Sequence, residues 1–554
     1  MHTQAMPTPA AAARNRSRLW GRGVKKPRML DDECDCRSHG FIMLEGDDTG
    51  YGQALFPVPA EDPNDPLQWP QSKKIMILVI ICVYSFLGNS ALLGVGPYIT
   101  LWSEMFDVSQ ADASTLISYP NLVYGLTSWL LVPLYLRFGR RPVMLGSMLA
   151  FIAGLAGCSR ATSFGGLMAS RIIHCLGAGV CEALPVQLVN DIFFLHERGV
   201  QLGYYTFALC LAALATLPAA YMLPTKYSWR LFFYVILAFA AALFILAFLF
   251  VEETSYQRSK PADATVNEDH DSVLNATSSQ DKPEAVAVEQ TPVIPPRKSF
   301  LSTLRPWGRI DPTVPFFTLL WRSMTYFLVP QVLWVITSFG IIIGLGGLAF
   351  NFVFPIKITQ PPYNWPASLS GIHSAGSAIG FLLAVPFTPT SDMLAAYLTR
   401  RNNGIREAEM RLGVMLPAMI VGPVGLVVYG LTAQLNLHWI GYFLGAGMAS
   451  WCGYFYYSFT LAYAVDSYNN DTSEMLMAMN VGKQLVSFGL GFKVLDWIME
   501  SSYVAVISAG FGAVLLANNM FLIVFMIWGK RIRRFMSTTW LARLHGRATN
   551  VGRL

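Results

Sequence analysis

The chain alternates between long apolar runs and short polar gaps. Six runs of mainly apolar residues precede residue 252, and six more follow residue 330. A helix needs roughly 20 apolar residues to cross the core of a bilayer, so each run predicts one membrane span. The predicted spans are 75–102, 114–136, 143–160, 164–193, 200–224 and 229–251 in the first group, and 331–356, 366–388, 411–432, 438–465, 475–499 and 504–529 in the second.

Polar segments flank and separate the two groups of spans. Residues 1–74 predict a disordered cytosolic tail, because they are polar and lack a compact apolar core. Residues 252–330 predict a cytosolic linker rich in Ser, Pro, Asp and Glu, whose apolar last part, interrupted by one arginine, predicts a helix lying in the membrane interface. Residues 530–554 predict a cytosolic tail. The two bundles of six helices are therefore 75–251 and 331–529.

Composition agrees with a membrane protein whose structured part is entirely helical. Hydrophobic residues make up 53% of the chain and charged residues only 13%, which is too apolar for a water-exposed surface. The net charge of +6 is concentrated in alternate short loops, so it indicates orientation and not nucleic-acid binding. Because Lys and Arg favour cytosolic loops, we expect a multi-pass protein of the cell membrane with both termini in the cytosol.

Several other chemistries are not expected. The sequence has no G-x-x-x-x-G-K-[ST] loop, which argues against direct ATP drive, and no soluble catalytic domain, which argues against an enzyme. Cys34 and Cys36 form an isolated C-x-C without a second ligand pair. We therefore expect no metal and no cofactor.

The turn after the second span resembles a known loop signature. In "RFGRRP", Arg137, Gly139, Arg140 and Arg141 match the major facilitator superfamily pattern G-x-x-x-D-R-x-G-R-R. Leu136 stands where that pattern has its aspartate. The stretches "DIFFLHERG", "RRNNGIREAEMRL" and "YAVDSY" are similar to a fungal branch of the twelve-span drug:proton-antiporter type. The resemblance implies a major facilitator fold of twelve transmembrane helices in two bundles.

Ionisable groups inside a span are costly unless they have a partner or a wet cavity. In the fourth span one set of residues recurs at intervals of three and four, a spacing that predicts one helix face directed at a central cavity: Arg171, His174, Cys175, Ala178 and Glu182. Glu182 is our candidate for proton coupling, with Arg171 and His174, because burial favours the neutral carboxyl and a nearby cation favours the carboxylate. The alternative is a permanent buried ion pair of Glu182 with Lys483 or Arg171.

Further side chains are candidates for lining a substrate cavity. Two asparagines occupy matching positions in the first and seventh spans, two aromatic residues lie in the tenth span, and three polar residues share one face of the eleventh. The aromatic pair could stack on a flat or cationic ligand. Interhelical hydrogen bonding and packing are the alternatives. These candidates are Asn89, Asn351, Trp451, Tyr454, Asn480, Lys483 and Gln484.

The arginine turn is a candidate cytosolic gate. Because Leu136 cannot act as the acid of the loop, Asp191 near the cytosolic end of the fourth span is a candidate partner for Arg140 or Arg141. Solvated loop charges that never pair are the alternative. The candidate gate residues are Arg137, Gly139, Arg140, Arg141 and Asp191.

The two-bundle layout predicts a secondary transporter that moves a small organic molecule by alternating access. The resemblance implies proton-coupled efflux of a drug-like compound or secondary metabolite. However, the antiporter signature of the fifth span has shrunk to Pro218, which leaves open an importer or facilitator of a nutrient, a polyamine or another cation. A non-transporting membrane sensor is a second alternative. The expected partners are the substrate, protons and the lipid bilayer, and the expected state is a monomer.

Overall fold

The computed structural model describes residues 62–256, 299–307, 310, 315–344, 349–402, 407–467, 472–541 and 544. Helices and connecting turns account for this part of the chain, and no strand occurs in it. Most of the predicted amino-terminal tail, up to residue 61, lies outside the described residues. The middle of the predicted linker, 257–298, and the chain end from residue 545 lie outside them as well.

The first bundle contains six spans, some of them built from two consecutive helices. Their bounds are Gln71–Leu93 with Ile99–Phe106, Gln110–Phe138, Arg140–Arg160, Phe164–Ala178 with Leu184–Ile192, Leu195–Leu211 with Thr216–Met222, and Trp229–Phe250. The third span begins at Arg140 and not at the predicted residue 143, because Gly139, with a φ of 99°, turns the chain in a single residue. Arg140 and Arg141 of the turn are therefore the first two residues of the third-span helix.

The second bundle repeats this plan. Its bounds are Pro330–Ile342 with Phe350–Thr359, His373–Ala384, Leu416–Leu435, Ile440–Phe455 with Leu461–Ser467, Thr472–Phe492 with Val494–Glu500, and Gly512–Thr538. The last helix continues past the predicted end at residue 529. Its extension is held by Arg533, whose guanidinium lies 2.7 Å from the carboxylate of Glu409 in the 3₁₀ helix Ala408–Met415, directly before the ninth span.

Two helices that meet at the centre of the molecule are less apolar than a typical membrane span. Within the described residues, eight helices are long and apolar enough to cross a membrane, and a bent pair raises the number to nine. Gln110–Phe138 and Thr472–Phe492 are not among them. They pack against each other across the boundary between the bundles, and their polarity is typical of spans that face an interior rather than lipid.

The bundles also meet near both ends of the spans. At the end predicted to be extracellular, Thr216 Oγ1 donates to the Gly371 carbonyl at 3.1 Å. At the opposite end, Val186 and Tyr205 of the first bundle form a buried cluster with Leu476 of the second. The two bundles are therefore in contact on both sides of the membrane centre.

A short helix crosses the direction of the spans before the seventh span. We call Phe316–Thr325 the transverse helix. The segment that contains it bends by 87° at the break before Pro330–Ile342. Phe317 and Trp321 on it are 82% and 73% exposed, so one face is apolar and uncovered. A helix in the membrane interface requires this orientation and this exposed face.

Candidate functional site

The fourth span changes its winding before Glu182. The helix Phe164–Ala178 passes into a 3₁₀ turn at Gly179–Glu182, and a new α-helix follows from Leu184. Pro185 has no N–H, so the Cys181 carbonyl loses its helical partner. The hydroxyl of Tyr205 donates to this carbonyl at 2.9 Å and that of Ser85 at 3.2 Å. Pro185 thus interrupts the helical hydrogen bonding, and the two hydroxyl groups replace the lost donor to the Cys181 carbonyl.

The tighter turn alters which residues share a face. A 3₁₀ helix has 3.0 residues per turn and not 3.6, so Glu182 leaves the face that Arg171 and His174 occupy. In the structure the three side chains therefore do not share one surface, and their joint role in proton coupling stays a prediction. Glu182 is directed at the second bundle, whereas Arg171 and His174 are buried inside the first.

Glu182 forms an ion pair across the boundary between the bundles. Its Oε1 lies 2.9 Å from Lys483 Nζ, and the two side chains are only 7% and 9% exposed. Gln484 Nε2 lies 3.5 Å from the same oxygen. The Lys483 ammonium also lies 5.6 Å from the centre of the Phe339 ring. We call Glu182 and Lys483 the central pair.

Close packing of the second span against the eleventh positions the central pair. A Cβ on Gly125 would lie 2.5 Å from Gln484 Cβ, so only glycine permits this approach. Further along the two helices, Asn121 Nδ2 donates to Ser487 Oγ at 3.3 Å. Asn480, one turn before Gln484, is also buried at this boundary. The three predicted polar residues of the eleventh span thus lie between the bundles.

Arg171 is a tether within the first bundle. Its guanidinium donates to the backbone carbonyls of Leu116, Ala91 and Leu92, and the side chain is fully buried. Carbonyls at these positions belong to the first and second spans, so Arg171 ties three spans together. The structure pairs Glu182 with Lys483 and not with Arg171.

His174 lies at a tight contact between the third and fourth spans. A Cβ on Gly154 would lie 2.2 Å from the His174 backbone nitrogen. The imidazole packs on Phe151, with ring centres 6.1 Å apart, and its Nε2 lies 3.5 Å from Cys175 Sγ. These contacts are those of a packed core residue.

The four other cavity candidates make contacts within their own bundles. Asn89 Nδ2 donates to the Leu209 carbonyl at 3.2 Å, and Asn351 Oδ1 lies 2.8 Å from His373 Nε2. Trp451 packs on Phe455, with ring centres 4.4 Å apart. Tyr454 shares a hydrogen bond of 2.9 Å with Thr388. Contacts of this kind are the interhelical hydrogen bonds and side-chain packing given above as alternatives to lining a substrate cavity.

At the arginine turn, the structure places Asp191 against Arg140. Arg140 Nε lies 3.1 Å from Asp191 Oδ2, and both side chains are 14% exposed. Thr254 Oγ1 donates to the same carboxylate oxygen at 3.0 Å, and Gln187 Nε2 donates to Oδ1 at 3.0 Å. All four residues belong to the first bundle or its immediate extension, so the contact fixes the shape of that bundle and does not bridge the two.

Glu253 provides a carboxylate at the arginine turn, where Leu136 stands in place of the aspartate of the loop signature. Its two oxygens accept from the backbone N–H groups of Arg140 at 2.9 Å and Arg141 at 3.1 Å, so it caps the third span. A Cβ on Gly139 would lie 2.4 Å from Glu253 Oε2. Sequence reasoning missed this residue. The available signal was the acidic pair at 252–253 directly after the sixth span.

Arg141 and Arg137 take different environments in the same turn. Arg141 is 2% exposed and donates to the carbonyls of Phe248, Thr303 and Leu304, which ties the linker's far end to the first bundle. Arg137 is half-buried beside the Phe138 ring.

Among the described residues, no group of three or more His, Cys, Asp or Glu is arranged to hold a metal ion.

The transverse helix contacts both bundles. Arg322 on this helix lies 3.1 Å from the Glu474 carboxylate at the start of the eleventh span, with both side chains less than a tenth exposed. Trp129 of the second span donates its indole N–H to Ser323 Oγ at 3.0 Å and to the Leu320 carbonyl at 3.2 Å. Sequence reasoning missed these contacts, since they join residues far apart in the chain.

Comparisons with known proteins agree on one family. A sequence model of the Major Facilitator Superfamily matches residues 78–492. The MFS-type transporter penM of Penicillium rubens is 27% identical over 494 residues, which are 85% of this chain and 88% of that protein. A protein of Aspergillus flavus named "Probable efflux pump mfs2" is 24% identical over 395 residues, 71% of this chain and 87% of that protein.

A solved structure shows the same fold. The crystal structure of a D-xylose-proton symporter aligns with a TM-score of 0.52 at 12% identity, covering 81% of this chain and 97% of that one. The shared architecture is the major facilitator fold of two six-helix bundles. At this level of identity the likeness concerns the fold alone.

Proposed function

We propose that this chain, which belongs to the Major Facilitator Superfamily, exports a small organic molecule in exchange for protons. Membership makes the chain a membrane-spanning secondary transporter of small molecules, and not an enzyme. Alternating access is the mechanism by which such two-bundle proteins work. The direction of transport and the coupled ion are the proposal.

The central pair carries the proposal for proton coupling. Glu182 of the first bundle and Lys483 of the second lie 2.9 Å apart and are both buried. Protonation of Glu182 removes one of the two charges and so removes the attraction that joins the bundles at this point. A proton that binds to Glu182 therefore favours the conformation in which the bundles are separated at this point. A ligand shifts the equilibrium between two conformations when it binds one of them more tightly than the other.

The contacts at the two ends of the spans provide the gates in this scheme. Thr216 and Gly371 close the end predicted to be extracellular, and the cluster of Val186, Tyr205 and Leu476 closes the other end. The Arg140–Asp191 contact keeps the first bundle rigid as it rocks. With arginine-rich loops in the cytosol, the protein lies in the cell membrane with both termini inside.

Export is favoured by the name of one fungal relative, "Probable efflux pump mfs2". The opposing observation is the fifth span, where Leu217 and Tyr221 stand at two positions around Pro218 that are glycines in the antiporter signature. Import or facilitated uptake of a nutrient or cation is therefore the second candidate.

A comparison of metabolites separates the two directions. The gene is deleted in its own organism, and small molecules inside and outside the cells are compared by mass spectrometry with the parent strain. Export predicts that a compound accumulates inside the deletion strain and is depleted from the medium. Loss of uptake of a compound from the medium would establish the second candidate.

A further inference from the structure

Four buried polar atoms belong to the central pair or to the second and eleventh spans, which pack against each other there. They are Tyr124 Oη, Glu182 Oε2, Asn480 Nδ2 and Gln484 Oε1, and none has a hydrogen-bond partner among the described residues. We call these four residues the polar cradle. Tyr124 directly precedes Gly125, which packs on Gln484. A buried polar atom without a partner is costly, so such a cluster between the two bundles is typical of a site that binds a polar molecule.

The orientation of Gln484 determines what the cradle offers. Its amide nitrogen donates to Glu182 Oε1, because a carboxylate can only accept a hydrogen bond from an amide N–H. The amide oxygen of Gln484 is therefore directed away as an acceptor. Glu182 Oε2 is a second acceptor, Asn480 Nδ2 is a donor, and the Tyr124 hydroxyl can act as either.

The charges at the cradle disfavour an ionic ligand. The central pair is neutral overall, with its ammonium and carboxylate 2.9 Å apart. An organic cation brought to Glu182 would also meet the Lys483 ammonium. An organic anion brought to Lys483 would meet Glu182 Oε2 and the Gln484 oxygen, both of which are acceptors. Like charges in a site with little water repel strongly, and either ion would have to break the pair first.

We infer that the transported molecule is uncharged where it binds and presents at least two hydrogen-bond donors, as an amide or a hydroxylated compound does. Donors of this molecule fill Glu182 Oε2 and Gln484 Oε1, and an acceptor on it takes the Asn480 amide. This inference rests on the proposed function and excludes polyamines and other organic cations from the cradle.

The same contacts set the sign of coupling to protons. A ligand that donates to Glu182 Oε2 stabilises the ionised carboxylate, so it binds less well when Glu182 is protonated. By linkage, the proton then also binds less well in the presence of the ligand. Such mutual exclusion is what exchange of one ligand for the other requires, and uptake together with a proton would require the opposite sign.

The test uses inside-out membrane vesicles that contain the full-length protein. The vesicles are given an acidic interior and incubated with a metabolite extract of the organism's own culture, and trapped compounds are identified by mass spectrometry. We expect the compounds trapped above the level of empty-vector vesicles to be uncharged at neutral pH and to carry two or more donors. Trapping of organic cations or anions alone leaves export standing but overturns the inference. No trapping at all overturns the proposed function itself.

Binding of a trapped compound to the purified protein tests the coupling sign. The apparent Kd should rise as the pH falls, by up to about tenfold per pH unit for a single competing proton. In Glu182→Gln the Kd should no longer depend on pH. A variant of the exposed lysine in the Lys493–Asp496 pair, Lys493→Gln, is the matched control and should keep the wild-type dependence. An affinity that increases on acidification in the wild type contradicts the inference.

Discussion

Lys483 Nζ lies 2.9 Å from Glu182 Oε1 across the boundary between the two bundles, with both side chains less than a tenth exposed. Buried pairs of this kind are weak evidence for stability, but removal of one partner leaves an uncompensated charge. Single and double substitutions of the pair should therefore differ in their effect on stability.

Lys483→Gln should destabilise the protein by about 3–5 kcal/mol, because Glu182 is left buried without a counter-charge. The double variant Glu182→Gln/Lys483→Gln should recover most of this loss, since two amides can bond to each other. Thermal unfolding in detergent measures both. Lys493→Gln, at an exposed pair, should leave the unfolding temperature unchanged. A double variant as unstable as the single one would show that the charges do not act as a pair.

Trp129→Phe should loosen the transverse helix from the first bundle. The substitution removes the indole N–H that bonds to Ser323 and Leu320, while the Arg322–Glu474 pair keeps the helix on the second bundle. We expect faster maleimide labelling of Cys82, a half-buried cysteine that packs against the cluster at that end of the spans.

Mass spectrometry of the labelled protein assigns the modified cysteine. Trp451→Phe is the matched control, because that indole lies in the tenth span and packs on Phe455. Equal labelling rates in the two variants would mean that the transverse helix does not restrain opening.

Gly139→Ala should destabilise the first bundle by about 1–3 kcal/mol. The φ of 99° strains any residue with a Cβ, and that Cβ would also meet the Glu253 carboxylate at 2.4 Å. Glu253→Ala should cost about 0.5–2 kcal/mol through loss of the helix cap.

Gly146→Ala in the third span provides the control, because a Cβ there meets nothing within 4 Å. Thermal unfolding should rank Gly146→Ala at or above the wild type and the other two variants below it. A neutral Gly139→Ala would contradict the conformation of the arginine turn.

Gly371→Ala should open the end of the molecule predicted to be extracellular. A Cβ there would lie 2.0 Å from the Thr216 carbonyl oxygen, so the fifth and eighth spans must move apart. A cysteine placed at Ser370, which is 2% exposed, should then react faster with an impermeant maleimide added outside the cell. Gly489→Ala, where a Cβ meets nothing within 4 Å, should leave the rate unchanged. The same rate in both variants would remove Gly371 from the gate.

Local patterns predicted the architecture because bilayer thickness fixes the length of an apolar helix. The run of charges at the arginine turn likewise pointed to Asp191, which Arg140 contacts. Helical spacing placed Asn480, Lys483 and Gln484 on one face, and the structure brings that face to the boundary between the bundles.

Regular spacing failed where the chain departs from a regular helix. Pro185 and the 3₁₀ turn at Gly179–Glu182 separate Glu182 from Arg171, and an unbroken 3.6-residue period could not anticipate this. The contact of Glu253 with Arg140 and the contact of Trp129 with Ser323 each join residues more than 100 positions apart. Packing of distant segments determines such contacts, and no local pattern records them.

Transport by purified protein in liposomes tests the role of Glu182 most directly. We expect Glu182→Gln still to exchange a labelled substrate for unlabelled substrate across the membrane, because the bundles can still rock. We also expect that this variant does not accumulate substrate when a pH gradient is imposed, since no proton can be bound and released at residue 182. Accumulation by Glu182→Gln at the wild-type level would show that Glu182 does not couple transport to protons.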